Sequence, residues 1–107
     1  MKKIFVVKRT DKVPVSESYA GCVVICDNEE QARRVNPAYC AELSLWFNNS
    51  EIKPNKYDFH QFLFYPEDWN DIHPSWVDDL STLEVTCIGT ADPSYVDDKL
   101  VFSQFTM

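Results

Sequence analysis

The chain predicts an α+β domain: an antiparallel sheet of about four strands in the order β-β-α-β-β, with one or two helices packed on one face. Three observations point there. Two runs of β-branched and aromatic residues stand near the start, and two more near the end. A segment with a helix-start signal lies between them. The 107 residues, 45% of them hydrophobic, support one modest core, so a single domain spanning 1–107 is expected.

KIFVVKR, from Lys3 to Arg9, is a strand bounded by charge, and GCVVICD, from Gly21, is its counterpart. TDKVPVSESYA holds a proline and turn-forming polar residues, suited to closing an antiparallel hairpin. Asp27 stands as a helix N-cap, with Glu30 in capping-box position and Glu29 favoured by the helix dipole. Asn36-Pro37 interrupts that helix, because a residue before proline is pushed from the helical region while proline suits a new first turn. Tyr39, Leu43, Trp46 and Phe47 then recur at i, i+4, i+7 and i+8, a helical stripe expected to pack on the sheet. Residues 48–79 are the least regular, with YDFHQFLFYP able to hold a short strand before Pro66. LEVTCIG alternates, placing Leu83, Val85 and Cys87 on one face and Glu84 and Thr86 on the other. GTADPSYVDD makes a turn, and KLVFSQF is the last strand. The sequence holds no internal repeat and no low-complexity segment.

The formal net charge of −7 is unevenly spread. Through Lys56 there are nine basic and seven acidic residues; from Tyr57 onward, Lys99 alone stands against ten acids. Such a half repels nucleic acid and anionic membranes and steers toward basic partners. Lys2, Lys3, Lys8, Arg9 and Lys12 form a small basic cluster to which Arg33 and Arg34 add; half of these read as edge charges that discourage sheet-to-sheet pairing, and with the acidic half repelling phosphate, direct nucleic-acid binding is disfavoured. MKKIFVVKRTDK has four apolar residues before charge returns, unlike a secretion signal. No apolar run reaches the roughly 18 residues of a membrane span, and an intracellular protein is expected.

Cys22, Cys26, Cys40 and Cys87 have mostly apolar neighbours and read as buried thiols. Positions four apart in a strand are separated by about 13 Å, too far for Cys22 and Cys26 to bridge or chelate together. There is no C-x-x-C, and the carboxylates lack the alternating D-x-D-x-D-G loop of a calcium hand, so no metal or cofactor is expected. His60 and His73 each follow an aspartate by two residues, Asp58 and Asp71, but no nucleophile or electrophile accompanies them. With glycine only at 21 and 89 there is no phosphate-cradling loop, and G-x-S-x-G is absent. No catalytic residue is assigned.

The unusual chemistry concentrates in FYPEDWNDIHPSWVDD, residues 64–79, with five carboxylates, four aromatics and no Lys or Arg. Fixed carboxylates can occupy a groove built for phosphates and release the same counterions, while Trp and Tyr supply anchoring that exposed ion pairs do not. The candidate partner-binding residues are therefore Glu67, Asp68, Trp69, Asp71, Trp76, Asp78 and Asp79. The plainer alternative makes the tryptophans core fillers and the acids solvating surface. A different class of function would sequester a nucleotide among Tyr57, Phe59, Phe62 and Phe64, with Arg33, Arg34 or Lys53 on phosphate; a third would be a hydrolase or metal-dependent enzyme using His60 or His73.

DNEEQARRVNP, WVDDLSTLEVTCIGTAD and LVFSQF together resemble segments of small accessory proteins of tailed bacteriophages, over about half the chain. The resemblance implies a phage-encoded protein made in a bacterial cytoplasm and brings no catalytic motif. FLFYPEDWNDIHP departs from that pattern and adds a second tryptophan. Joined to the acidic segment, this gives the expectation of a non-enzymatic inhibitor of a host nucleic-acid-handling defence complex, of the anti-CRISPR or anti-restriction kind. Its partner would be a host protein with a basic groove. The sequence leaves the oligomeric state open.

Overall fold

The computed structural model describes residues 1–11, 18–49, 59–67 and 72–106. Two strands, β1 (Lys3–Arg9) and β2 (Ser18–Cys26), form an antiparallel pair with Val6 opposite Val23. The short helix α1 (Glu29–Arg33) follows, then α2 (Ala41–Asn49). Two 3-10 turns, Phe59–Gln61 and Leu80–Thr82, lead to β3 (Leu83–Thr90) and β4 (Lys99–Thr106). The sheet order is β3-β1-β2-β4, antiparallel throughout, so the expected α+β class and strand sequence hold.

The core lies on one face. Phe5 and Val7 of β1, Cys22, Val24 and Cys26 of β2, and Leu83 of β3 point into it. Ala32 of α1 and Val35 just beyond cover them, as do Tyr65, Trp76 and Val77 from the irregular region. A five-residue helix cannot roof a four-stranded sheet, and the large Tyr65 and Trp76 side chains fill the remainder. Arg33 Nη1 donates to Leu83 O at 2.6 Å, fastening α1 to the start of β3.

Several details differ from the sequence reading. Strand β2 begins at Ser18 rather than Gly21, because its first residues pair with the end of β4 across a bulge between Tyr19 and Gly21. The N-cap of α1 is Asn28, whose Oδ1 accepts from Gln31 N at 2.8 Å; Asp27, one residue earlier, is drawn into an ion pair with Lys2. Helix α2 packs chiefly against the 3-10 turn at Phe59–Gln61, leaving Leu43 and Trp46 of the stripe exposed. The segment before Pro66 makes one isolated bridge, Phe64 to Val35, rather than a strand. Cys22 and Cys26 are buried thiols as expected, but Cys87 is exposed: β3 is an edge strand, and burial fades from Leu83 through Val85 to Cys87.

Gly21 sits opposite Lys8, and a Cβ there would stand 2.6 Å from the carbonyl oxygen of Val7. Gly21→Ala must push apart the central strand pair and should cost about 1–3 kcal/mol. Gly89 has open space where its Cβ would be, so Gly89→Ala should change stability by less than about 0.5 kcal/mol. Urea midpoints of the two variants check the contrast.

Candidate functional site

Charge gathers at both ends of β1. At its amino end, Lys2 Nζ lies 2.7 Å from Asp98 Oδ1 and 2.9 Å from Asp27 Oδ1. Asp98 Oδ2 accepts from Gln31 Nε2 at 3.0 Å, and Gln31 Oε1 accepts from Asp27 N at 2.9 Å. Asp98, then Asp27, hold the Lys2 ammonium on its proton well beyond the ordinary range. In the β3–β4 connection, Asp92 and Asp97 are exposed, and Asp92 Oδ1 accepts from Ser94 N at 2.9 Å. That bond and the Ser94 hydroxyl keep the Asp92 carboxyl below its usual range. This end of the sheet is therefore acidic, with Lys2 at its centre.

At the carboxyl end of β1, the Arg9 guanidinium binds Asp11 through two nitrogens, at 2.7 and 2.9 Å. It also donates to Tyr19 O at 3.2 Å and to Trp76 O at 3.5 Å. Arg9 lowers the Asp11 carboxyl and is itself raised, first by Asp11 and more weakly by Asp78. Asp79 caps the 3-10 turn before β3, its Oδ1 accepting from Ser81 N at 2.9 Å, and bonds from Ser81 hold it below the carboxylate range.

The sequence-derived site residues do not form one patch. Asp78 and Asp79 are exposed beside Arg9 and β3, whereas exposed Glu67 reaches Arg34, after α1, at 3.5 Å. Asp68, Trp69 and Asp71 lie outside the described residues, as do Lys53, Tyr57 and Asp58. Trp76 is 2% exposed, a core residue with the Arg9 guanidinium 5.9 Å from its ring centre, which fits the space-filling role rather than an exposed anchor. Arg33 is engaged with backbone carbonyls and Glu29, and Arg34 with Glu67. The ordered acids Asp92 and Asp98 entered the sequence reading only as net charge, and Asp27 only as a helix cap. Asp98 meets Asp27 through Lys2, a contact no local motif announces.

The two histidines do meet, with ring centres 6.1 Å apart. His60 Nδ1 lies 2.7 Å from Ala38 O, which can only accept, so this nitrogen carries the proton. His73 Nδ1 accepts from Ser75 N at 3.0 Å, and its ring meets Tyr19 edge-on. Tyr65 Oη accepts from His73 N at 3.1 Å and donates to Asn36 Oδ1 at 3.2 Å. These bonds join backbone to backbone through side chains, a bracing arrangement. Burial, helped by His60, lowers the affinity of His73 for a proton.

The second face of the sheet carries a different surface. Side chains alternate along a strand and registered partners share a face, so three rows run across it. They are Glu84–Lys8–Gly21–Gln104, Thr86–Val6–Val23–Phe102 and Gly89–Ile4–Ile25–Lys99. Val6, Lys8, Gly21, Val23, Phe102 and Gln104 line a shallow groove of about 280 Å³.

Two outcomes follow from the brace. Tyr65→Phe removes the bonds of the hydroxyl to the His73 amide and to Asn36 Oδ1 and should cost about 1–3 kcal/mol in thermal or urea unfolding. Because folded His73 titrates below its ordinary 6.5, the unfolded chain takes up that proton first. Its contribution is complete above about pH 6.5 and is lost as the pH falls through the lowered folded value. The urea midpoint should drop more between about pH 7.5 and about pH 5 in the wild type than in His73→Asn.

Comparison with family models, curated proteins and solved structures finds no match for this chain.

Proposed function

We propose that the protein is a non-enzymatic, phage-encoded inhibitor that seats fixed carboxylates in the basic groove of a host nucleic-acid-handling defence complex, acting in the bacterial cytoplasm. The observation that carries this reading is how the acids are held. Asp79 and Asp92 each accept a backbone amide, and Asp98 is pinned by Lys2 and Gln31. A carboxylate already set in place loses little side-chain freedom on binding, so more of its interaction energy appears as affinity.

Glu67, Asp78 and Asp97 are exposed and extend the negative surface beyond the pinned acids. The proposed face includes Asp68, Asp71 and Trp69 as its anchor, whereas Trp76 acts from beneath by stiffening the segment that carries Asp78 and Asp79. Long-range attraction brings the partner in and weakens as salt screens it.

The test co-expresses the chain with defined restriction or RNA-guided defence systems in a bacterial host and scores phage plating. Wild type should restore plating against its target system. Asp78→Lys/Asp97→Lys should lose that effect and weaken binding to the purified complex about tenfold or more, the wild-type affinity falling with added salt. Salt-independent binding that survives the double reversal would remove groove mimicry from the account.

A further inference from the structure

We infer that the groove on the second face of the sheet is a binding site for a purine nucleoside monophosphate. Three side chains stand around an apolar floor there. Val6 and Val23, opposite each other on β1 and β2, make the floor. Phe102 on β4 continues that row, and its ring is 60% exposed in the middle of a strand. Lys8, Gly21 and Gln104 form the adjoining row, in which Lys8 and Gln104 are exposed and Gly21, between them, has no side chain.

Each group matches one part of such a ligand. An exposed aromatic ring is a platform on which a base stacks. Gln104 adjoins Phe102 on the same face of β4, and its carboxamide both donates and accepts, the pattern that pairs with the N6 and N7 edge of adenine. Lys8 supplies a cation for the phosphate. Lys2, Arg9, Arg33 and Arg34 are all held in ion pairs, whereas Lys8 forms none among the described residues, even though Glu84 stands opposite it on β3. Two strand spacings and one step along the strand put the backbones of Phe102 and Lys8 about 12 Å apart. The Lys8 stem spans part of that distance and leaves the length of one nucleotide. The groove volume of about 280 Å³ lies at the small end for a ligand site, matching one nucleotide rather than a dinucleotide.

Charge sets the same limit. The three rows hold Lys8 and Lys99 against Glu84, a local positive balance on a chain of net charge −7. Beyond the rows stand Asp27 and Asp98 at the amino end of β1, and Asp11 and Asp78 at its carboxyl end. A single phosphate fits between these ends, while a longer strand would carry its phosphates over the acids.

The site uses none of the carboxylates assigned to a host partner, so it stands or falls apart from the proposed function. Isothermal titration calorimetry and amide chemical-shift mapping of the full chain with AMP are the measurements, with adenosine, inorganic phosphate and a short oligoadenylate as comparisons. Shifts should centre on Val6, Gly21, Val23 and Phe102, and AMP should bind more tightly than adenosine or phosphate. Phe102→Ala should weaken AMP binding about tenfold or more. Lys8→Ala should weaken it roughly fivefold and leave adenosine unchanged. Both side chains are exposed, so the thermal midpoints of these variants should stay close to that of the wild type, and Leu45→Ala on α2 should leave binding unchanged. The inference is overturned if AMP moves no amide of the groove, if phosphate alone binds as well as AMP, or if oligoadenylate binds many times more tightly than AMP. Binding that survives in both Phe102→Ala and Lys8→Ala overturns it as well.

Discussion

The carboxamide of Asn36 is the constraint on which the irregular half of the molecule depends. The residue is fully buried between the two helices. Its Oδ1 accepts from Ala38 N and Tyr65 Oη, and its Nδ2 donates to Phe62 O at 3.0 Å. Its backbone N donates to Leu63 O, while Tyr65 N donates back to Arg34 O, both at 2.8 Å. A buried amide is costly unless bonded, and its bonds are stronger away from water, so one side chain selects one path for 59–67. From Tyr65 the linkage passes to His73, and Tyr19 N to Ser75 O closes it onto the start of β2.

That linkage explains how a short chain builds a core with so little helix. Tyr65 and Trp76 occupy volume a longer helix would otherwise fill, and each is held by the backbone around it. The segment after Trp76 then carries Asp78 and Asp79 directly into β3. Asp79 stands on a turn whose geometry is fixed by its bond from Ser81 N and by the buried Trp76 and Val77 just before it.

Much of the fold is legible in the residues, and the gaps have physical causes. β1 and β3 are readable because Ile4–Val7 and Leu83–Cys87 carry strong local preference. The start of β2 is not, since Ser18 and Tyr19 join the strand by pairing with Thr106 and Phe105 of β4. Asp27 and Asn28 are both good caps; the long reach of Lys2 decides between them. Periodicity finds α2 but not what it packs on, because a stripe specifies a face and not a neighbour. The acidic segment was visible as composition, yet burial of Trp76 and the Lys2–Asp98 pair come from contacts across nearly the whole chain.

The most direct test of the Asn36 constraint is amide hydrogen exchange under native conditions, comparing the wild type with Asn36→Ala. The account predicts lost protection at Asn36, Cys40, Tyr65 and Trp76, whose amides donate to backbone in or beside the braced segments, while the β1–β2 amides stay protected. Unchanged protection at Tyr65 and Trp76, or a uniform loss reaching β1 and β2 equally, would contradict it.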